Sequence, residues 1–565
     1  MSKKRKQQYI LVMVVLLLVQ MAVLLYCGSR KSGFHEDELY TYYSSNKTAG
    51  LFINDRQWTQ QDEIRNDFVV LAGEGFRYDV VWQMQSWDVH PPLYYFLFHT
   101  ICSLFPGVFS KWLGIVVNLI AYAASYILLA YTAYMAVRCG GLAEQGAACG
   151  AERGAEEESE KKAVILSFLT CLFWGFSGAV ISGVMFIRMY QLLTFFVLLC
   201  LSLHLRAVFK QDFRIRSFLL PLALTVFLGF LTQYYYIIFH FFLGAGFCFY
   251  LLRKKKIREL LSYAAACAIG LLAALIYYPP ALSHIFRGYR GTEAVSEFGD
   301  ASNTVDRLRF FWGLFDDYVM NDTLSIWILI LALLAVTMGY LKKRGKLPDR
   351  KINPAVALIL FAAAGYFFTV SKTALLLGET SNRYQLPIYG GLCFLLIYGM
   401  WSCIEGLSET AQRKKGAMPE HQEERFLSRV LPGVLCLILL LIDVTALCRG
   451  RVFFLYEEEK EIMAFVREHK DVPVVVFYNE ASGDHIWWLS DELIEYPRVY
   501  LASMGNEEPI SDETITGSRS LLVYAADYEN GEERIRELLK GNENLSSYQV
   551  IAEKGQGVWT LYELQ

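Results

Sequence analysis

The chain lacks the features that build small stapled or metal-held proteins. Its twelve cysteines form no CxxC pair and no Cys/His cluster, so neither a zinc site nor a disulfide framework is indicated. Cys102, Cys171, Cys200, Cys248, Cys267, Cys393 and Cys448 stand inside apolar runs and read as small core residues. Charge of one sign is also scarce. The net charge of −3 argues against nucleic acid as the main partner. No internal repeat is present, which speaks against the duplicated halves of many secondary transporters. The first apolar run ends in YCGSRK with no small-residue cleavage site, so it reads as a retained helix and not as a secretory signal.

Apolar sequence, by contrast, is abundant. The chain is 54% hydrophobic and 15% aromatic, with a mean hydropathy of +0.30, above the usual soluble range. These residues come in blocks of about 20, the length that crosses a bilayer core as a helix. Backbone groups in lipid must pair within the segment, so the blocks read as helices. Candidate spans cover 9–28, 112–137, 163–186, 190–208, 218–232, 234–252, 257–278, 324–341, 354–376, 387–403 and 430–448, eleven in all. With the N-terminus inside, the clusters at Arg138 and Lys161-Lys162, 210–216, Arg253–Lys256, Lys342–Lys346 and Arg413–Lys415 fall on the inner side, as the positive-inside rule requires. The run after His90-Pro91-Pro92 is short for a span, with a tilted crossing as the alternative. It is expected to lie as a juxtamembrane helix in the outer interface, with Tyr94 and Tyr95 at headgroup depth.

The expected fold is therefore an α-helical polytopic membrane protein with a small C-terminal α/β soluble domain. The membrane domain covers 1–449, including a first outer loop at 29–111, and an extracytoplasmic domain covers 450–565. In the tail, alternation predicts strands in PVVVFY, RVYLA, SLLVYA, YQVIAE and GVWTLYEL, and helices in YEEEKEIMAFVREH and EERIRELLK. The Gly/Ala/Glu-rich inner loop at 140–162 is expected to be disordered.

Four polar groups beside the spans carry candidate chemistry. His35-Glu36-Asp37-Glu38 follows the first span; it is either a solvated loop start or the home of a general base. Asp88 and His90 precede Pro91-Pro92, which mark the first turn of a helix. Arg188, in Arg188-Met189-Tyr190, is bracketed by apolar sequence and needs an anionic partner, unless it snorkels to the headgroups. Arg383, in Ser381-Asn382-Arg383-Tyr384, is a guanidinium fork suited to bidentate phosphate capture. Asp316-Asp317 reads as solvated, and Tyr234-Tyr235-Tyr236 as an aromatic belt. All four groups fall on one face by a charge rule that did not consult them.

A first helix, the Asp37-Glu38 pair, Asp88 with HPPLYY and the RMY turn together resemble the GT-C membrane glycosyltransferases. The likeness is to the family-39 type branch of protein O-mannosyltransferases and lipid A aminoarabinose transferases. It runs from Met1 to Cys448, and HPPLYY with the acidic pair is its most specific part. The resemblance implies transfer of a sugar from a polyprenyl-phosphate donor to an envelope acceptor (lipid, glycan or protein) at the outer face, with inversion. It implies Asp37 as general base with Glu38 beside it. Arg188 and Arg383 would bind the carrier phosphate, and Asp88, His90, Tyr190 and Tyr384 would shape the substrate site. The tail shows no MIR-like repeats, which leaves the acceptor open. Metal dependence varies within the larger group and no ligand set is evident, so a divalent cation stays open as a cofactor. The alternative is a transporter or flippase of lipid-linked sugars. Short loops favour a bacterial plasma membrane over the internal membranes of a eukaryote.

Overall fold

A computed structural model describes residues 3–47, 53–145, 152–345, 347, 352–415, 430–526, 531–555 and 557–565. Among these residues ten helices are long and apolar enough to cross a bilayer. A further apolar pair, Glu156–Phe176 and Gly178–Met185, meets at a bend of 58° and makes an eleventh when the two are counted as one span. The protein is thus a multi-pass helical membrane protein, and its lipid bilayer is a partner. The first span, Lys3–Arg30, shows why the bundle holds without a hydrophobic drive between helices. Its outer face leaves Leu11 and Leu18 more than 60% exposed, as lipid requires. Its inner face buries Gln20, which donates to the Cys171 carbonyl at 2.9 Å and accepts from the Tyr122 hydroxyl at 2.9 Å. Small residues and such interhelical hydrogen bonds hold helices together in lipid. Gly175 supplies the close approach, because a Cβ there would meet the Gln20 amide at 2.2 Å.

The chain at 140–162 departs from the expected disorder. Helix Lys111–Gln145 runs on into it, and helix Glu152–Phe176 begins within it; residues 146–151 lie outside the described residues. Ala, Glu and Lys are strong helix formers, and ion pairs Arg138–Glu156 and Arg5–Glu157 tether the second helix to its neighbours. Composition alone could not show that support.

The segment after Pro91-Pro92 forms the 12-residue helix Leu93–Leu104, about 18 Å long and too short to span. Tyr94 and Tyr95 do not face outward from it. Both are fully buried in protein, between the helix Glu36–Asn46 and the Lys111–Gln145 span. Leu97, Leu104 and Phe105 form the exposed side.

The tail folds around a sheet of six strands: β1 (Gln57–Gln60), β2 (Val474–Tyr478), β3 (Arg498–Ser503), β4 (Leu521–Ala526), β5 (Tyr548–Lys554) and β6 (Trp559–Leu564), in the order β1-β3-β2-β4-β6-β5. The centre, β3-β2-β4, is parallel. β2 and β4 are buried throughout, as strands covered on both faces must be. All five expected tail strands are present. The sixth comes from the first loop: β1 pairs antiparallel with β3. Residues 57–60 of the first loop therefore belong to the tail's sheet.

Candidate functional site

The acidic run after the first span starts a helix. His35 is the N-cap of Glu36–Asn46; its Nδ1 accepts from the Asp37 amide at 3.1 Å, and the Glu38 carboxylate reaches back to the His35 amide at 2.7 Å. This reciprocal pair is a capping box, and a negative first turn suits the positive end of the helix dipole. Glu38 also accepts from Lys31 Nζ at 2.9 Å and from the Ile187 amide at 2.8 Å. It is fully buried. Glu38 therefore ties together the end of the first span, this helix and the turn that carries Arg188. Asp37 points the other way, towards the groups that the sequence placed far apart.

Arg188 sits in the tight turn between Gly178–Met185 and Tyr190–Lys210. Asn118 holds that turn by donating to the carbonyls of Val184 and Phe186. Gly114 leaves room for it, since a Cβ would meet Ile187 at 2.1 Å. Arg188 is 3% exposed. Its Nη1 donates to the Asp37 carbonyl and Thr41 Oγ1, both at 3.2 Å, and its Nη2 stands 3.7 Å from the Asp37 carboxylate. Nη2 also donates to His90 Nε2 at 3.1 Å. A guanidinium has no acceptor, so His90 Nε2 must accept, and Nδ1 then carries the hydrogen given to Asp88 at 2.8 Å. Asp88 ends the helix Tyr78–Trp87, and Pro92 opens the next one.

Arg383 reaches the same carboxylate from the helical turn Gly378–Tyr384, with Nη2 at 3.2 Å from Asp37. Its guanidinium lies over the rings of Phe186, Tyr190 and Tyr384 at 5.1–5.8 Å. Tyr190 and Tyr384 meet edge to face at 5.6 Å. Arg383 is 5% exposed, yet its Nε and Nη1 are buried with no acceptor, as is Nε of Arg188. Such unpaired charged donors are expensive to bury and mark a place for an anion.

Burial works to raise the Asp37 carboxyl, but the guanidiniums of Arg188 and Arg383 outweigh it and hold it below the usual carboxylate range. Asp88 follows the same balance, with His90 and Arg188 pulling it to about 2. Burial lowers the His35 imidazole to about 3, against the opposing pull of Asp37, so the ring stays neutral while it caps the helix. Glu36 is raised, first by burial and then by the neighbouring Asp37 charge.

Asp37, Asp88, His90, Arg188, Arg383, Tyr190 and Tyr384 thus converge, and Glu38 faces away. Glu36, half-buried and part of the acidic run, stands next to Asp37 in the first turn. The sequence missed one contributor. Phe454, in the segment leaving the last span, stacks on Phe186 at 4.0 Å, and its carbonyl accepts from Lys31 at 2.7 Å. It has φ +65°, so the strap is held in a backbone conformation that a phenylalanine rarely adopts. The aromatic run VFFLY after the last span was its only signal. Among the described residues no group of three or more His, Cys, Asp or Glu side chains is placed to hold a metal ion. The two guanidiniums supply the positive charge at Asp37. No family model matches this chain, and no curated protein matches it.

Proposed function

We propose that this chain is a glycosyltransferase, and that it moves a sugar from a polyprenyl-phosphate donor to an acceptor at the extracytoplasmic face. The observation that carries the reading is one carboxylate gripped by two buried guanidiniums that keep unused N–H donors. Orientation rests on charge: Lys210 and Arg253 close spans that start at Tyr190 and Tyr235, beside Arg383 and Tyr384. A bacterial plasma membrane suits the short loops.

In this reading Asp37 takes the proton of the acceptor hydroxyl or amine. The acceptor atom bonds to the anomeric carbon as the bond from that carbon to the phosphate oxygen breaks, with inversion. The departing phosphate keeps the electron pair and rests against Arg188 and Arg383, which stabilise its charge. Asp88 holds His90, and His90 holds Arg188. Glu38 and the Phe454–Phe186 stack set the positions of the helix and of Arg383. The donor phosphate competes with Asp37 for the same two guanidiniums, so its arrival weakens their grip on the carboxylate and makes it a better base.

The test is incubation of the purified protein with radiolabelled polyprenyl-phosphate sugars and envelope extract. Label should move to an acceptor and leave polyprenyl phosphate behind. Label that crosses the bilayer still attached to its carrier would instead establish the transporter reading. Arg383→Ala should raise the KM for donor at least tenfold, about 1.4 kcal/mol, and leave that for acceptor within about threefold. Equal changes in both would remove the phosphate role.

A further inference from the structure

We infer that the segment between Pro280 and Phe315, which joins two spans on the Asp37 side, lies in the headgroup layer of the bilayer and binds phospholipid there through Val295, Val305, Arg309 and Trp312. The inference does not depend on the transferase reading.

Depth is the first observation. The helices Tyr289–Gly299 and Thr304–Phe315 both pack against the span Pro354–Thr373. They lie along its flank, not on its end. Phe298 meets Phe368 edge to face at 6.5 Å, and Trp312 meets Phe367 in the same way at 6.1 Å. Those two span phenylalanines stand five and six residues before Thr373, about 8 to 9 Å down the helix axis. Interfacial helices sink their apolar faces about 5–10 Å into the boundary between headgroups and acyl chains. The depths match.

Polarity is the second. A loop bathed by water turns its apolar side chains inward. Here cations take the inner side. Lys372, on the span, is buried and donates to the Asp300 carbonyl, Asn303 and Thr304. Arg307, also buried, donates to the Ala374 carbonyl at 2.9 Å and pairs with Glu297 at 2.9 Å. Outward stand Val295 and Val305, 70% and 65% exposed, and Trp312 two turns after Val305 on the same face. The helix Tyr289–Gly299 buries no residue. An apolar surface outside an ion-paired lining suits lipid.

Continuity names the partner. Phe361 and Phe368, exposed on the same span, extend the patch towards the acyl chains. Leu282 and Phe286, at the other end of the segment, follow the exposed Leu272 and Ile276 of the span Ile257–Tyr277. Lipid already covers both spans. Arg309 is exposed between Val305 and Trp312, one helical turn from each. A guanidinium so flanked lays its stem on the apolar neighbours and reaches the lipid phosphates, and tryptophan settles at the same level.

The test is photocrosslinking of the full chain in bilayers of equal phosphatidylcholine and phosphatidylglycerol. Benzoylphenylalanine replaces Val295, Val305, the lipid-facing Ile276, or Val550, which is exposed on β5 of the tail. Adducts are identified by mass spectrometry. Val295 and Val305 should give phospholipid adducts within about threefold of the yield at Ile276, and Val550 at least tenfold less. Phosphatidylglycerol should be enriched about threefold at Val305 over Ile276, since an arginine near the surface favours anionic lipid. Arg309→Gln should abolish that enrichment while the yield at Ile276, which reports an intact bundle, holds. Yields at Val295 and Val305 as low as at Val550, or adducts to a second copy of the chain in place of lipid, overturn the inference. Equal headgroup ratios at Val305 and Ile276 overturn the part assigned to Arg309.

Discussion

Arg188 and Arg383 reach Asp37 from two different turns, and in the proposed transfer the residue that takes the acceptor's proton is also the anion that both cations hold. Asp37→Asn removes the base but leaves both guanidiniums for phosphate. Transfer should drop to background while affinity for polyprenyl phosphate is not weakened; full transfer by a stably folded Asn variant would remove the assignment. Because the carboxyl sits below its ordinary range, it stays ionised through mild acid. The acid limb of kcat/KM for donor, which reports the free enzyme, should lie below that of an ordinary carboxylate at about 3.9. In kcat, with phosphate sharing the guanidiniums, the limb should move up. Coincident limbs in pH–rate profiles would count against sharing. His35 gives a stability prediction of a different sign structure. Its imidazole sits at about 3 folded, against an ordinary 6.5, so the unfolded chain gains a proton first as pH falls. Stability is complete above 6.5 and declines towards 3. At pH 5 the loss from this ring is about 2 kcal/mol. His35→Asn keeps a side-chain acceptor at the cap, so it should flatten the fall in thermal midpoint between pH 7 and 5.

At the scale of elements, the spans were legible because lipid demands long apolar helices, and the bent pair was not divided in the expectation because residues 163–186 form one unbroken apolar run. The cap at His35 was harder to read. Histidine is outside the preferred N-cap set, and Glu38 looked like a catalytic neighbour because adjacency in sequence hides that successive helical residues point about 100° apart. The structure turns Asp37 and Glu36 towards the open side and Glu38 inward. Phe454 was illegible for another reason: its role depends on a strap crossing beside Gly178, and nothing local announces that crossing. There the Arg451 carbonyl passes so close that a Cβ on Gly178 would stand 2.0 Å from it. Gly178→Ala should therefore push the strap off, unstack Phe454 from Phe186 and lower the thermal midpoint. Gly433→Ala, at a helical glycine with open space around it, should change little. Equal behaviour of the two variants in a melting assay would show that the strap is not held at this point.

The whole molecule joins its first loop and its tail through one sheet, and this was the least legible feature. β1 is QWTQ, a short, largely polar run without the alternation that marks a strand, and its partner lies more than 400 residues away. Tertiary pairing, not local pattern, makes it a strand. Its anchor is Trp58, which packs edge to face on Tyr500 at 5.4 Å, lies under Arg498 at 4.2 Å and donates to Asp512 at 2.9 Å. The consequence is mechanical. The tail, whose Asp484 and Trp488 hydrogen-bond Tyr40 of the helix that carries Asp37, is fastened on one side by the strap at Phe454 and on the other by β1. Trp58→Ala should loosen one fastening and leave the donor side intact. Amides of β1 and of β3's β1-facing edge should exchange faster with deuterium, and the thermal midpoint should fall. Unchanged exchange at β1 and β3 would show that Trp58 does not hold this edge of the sheet.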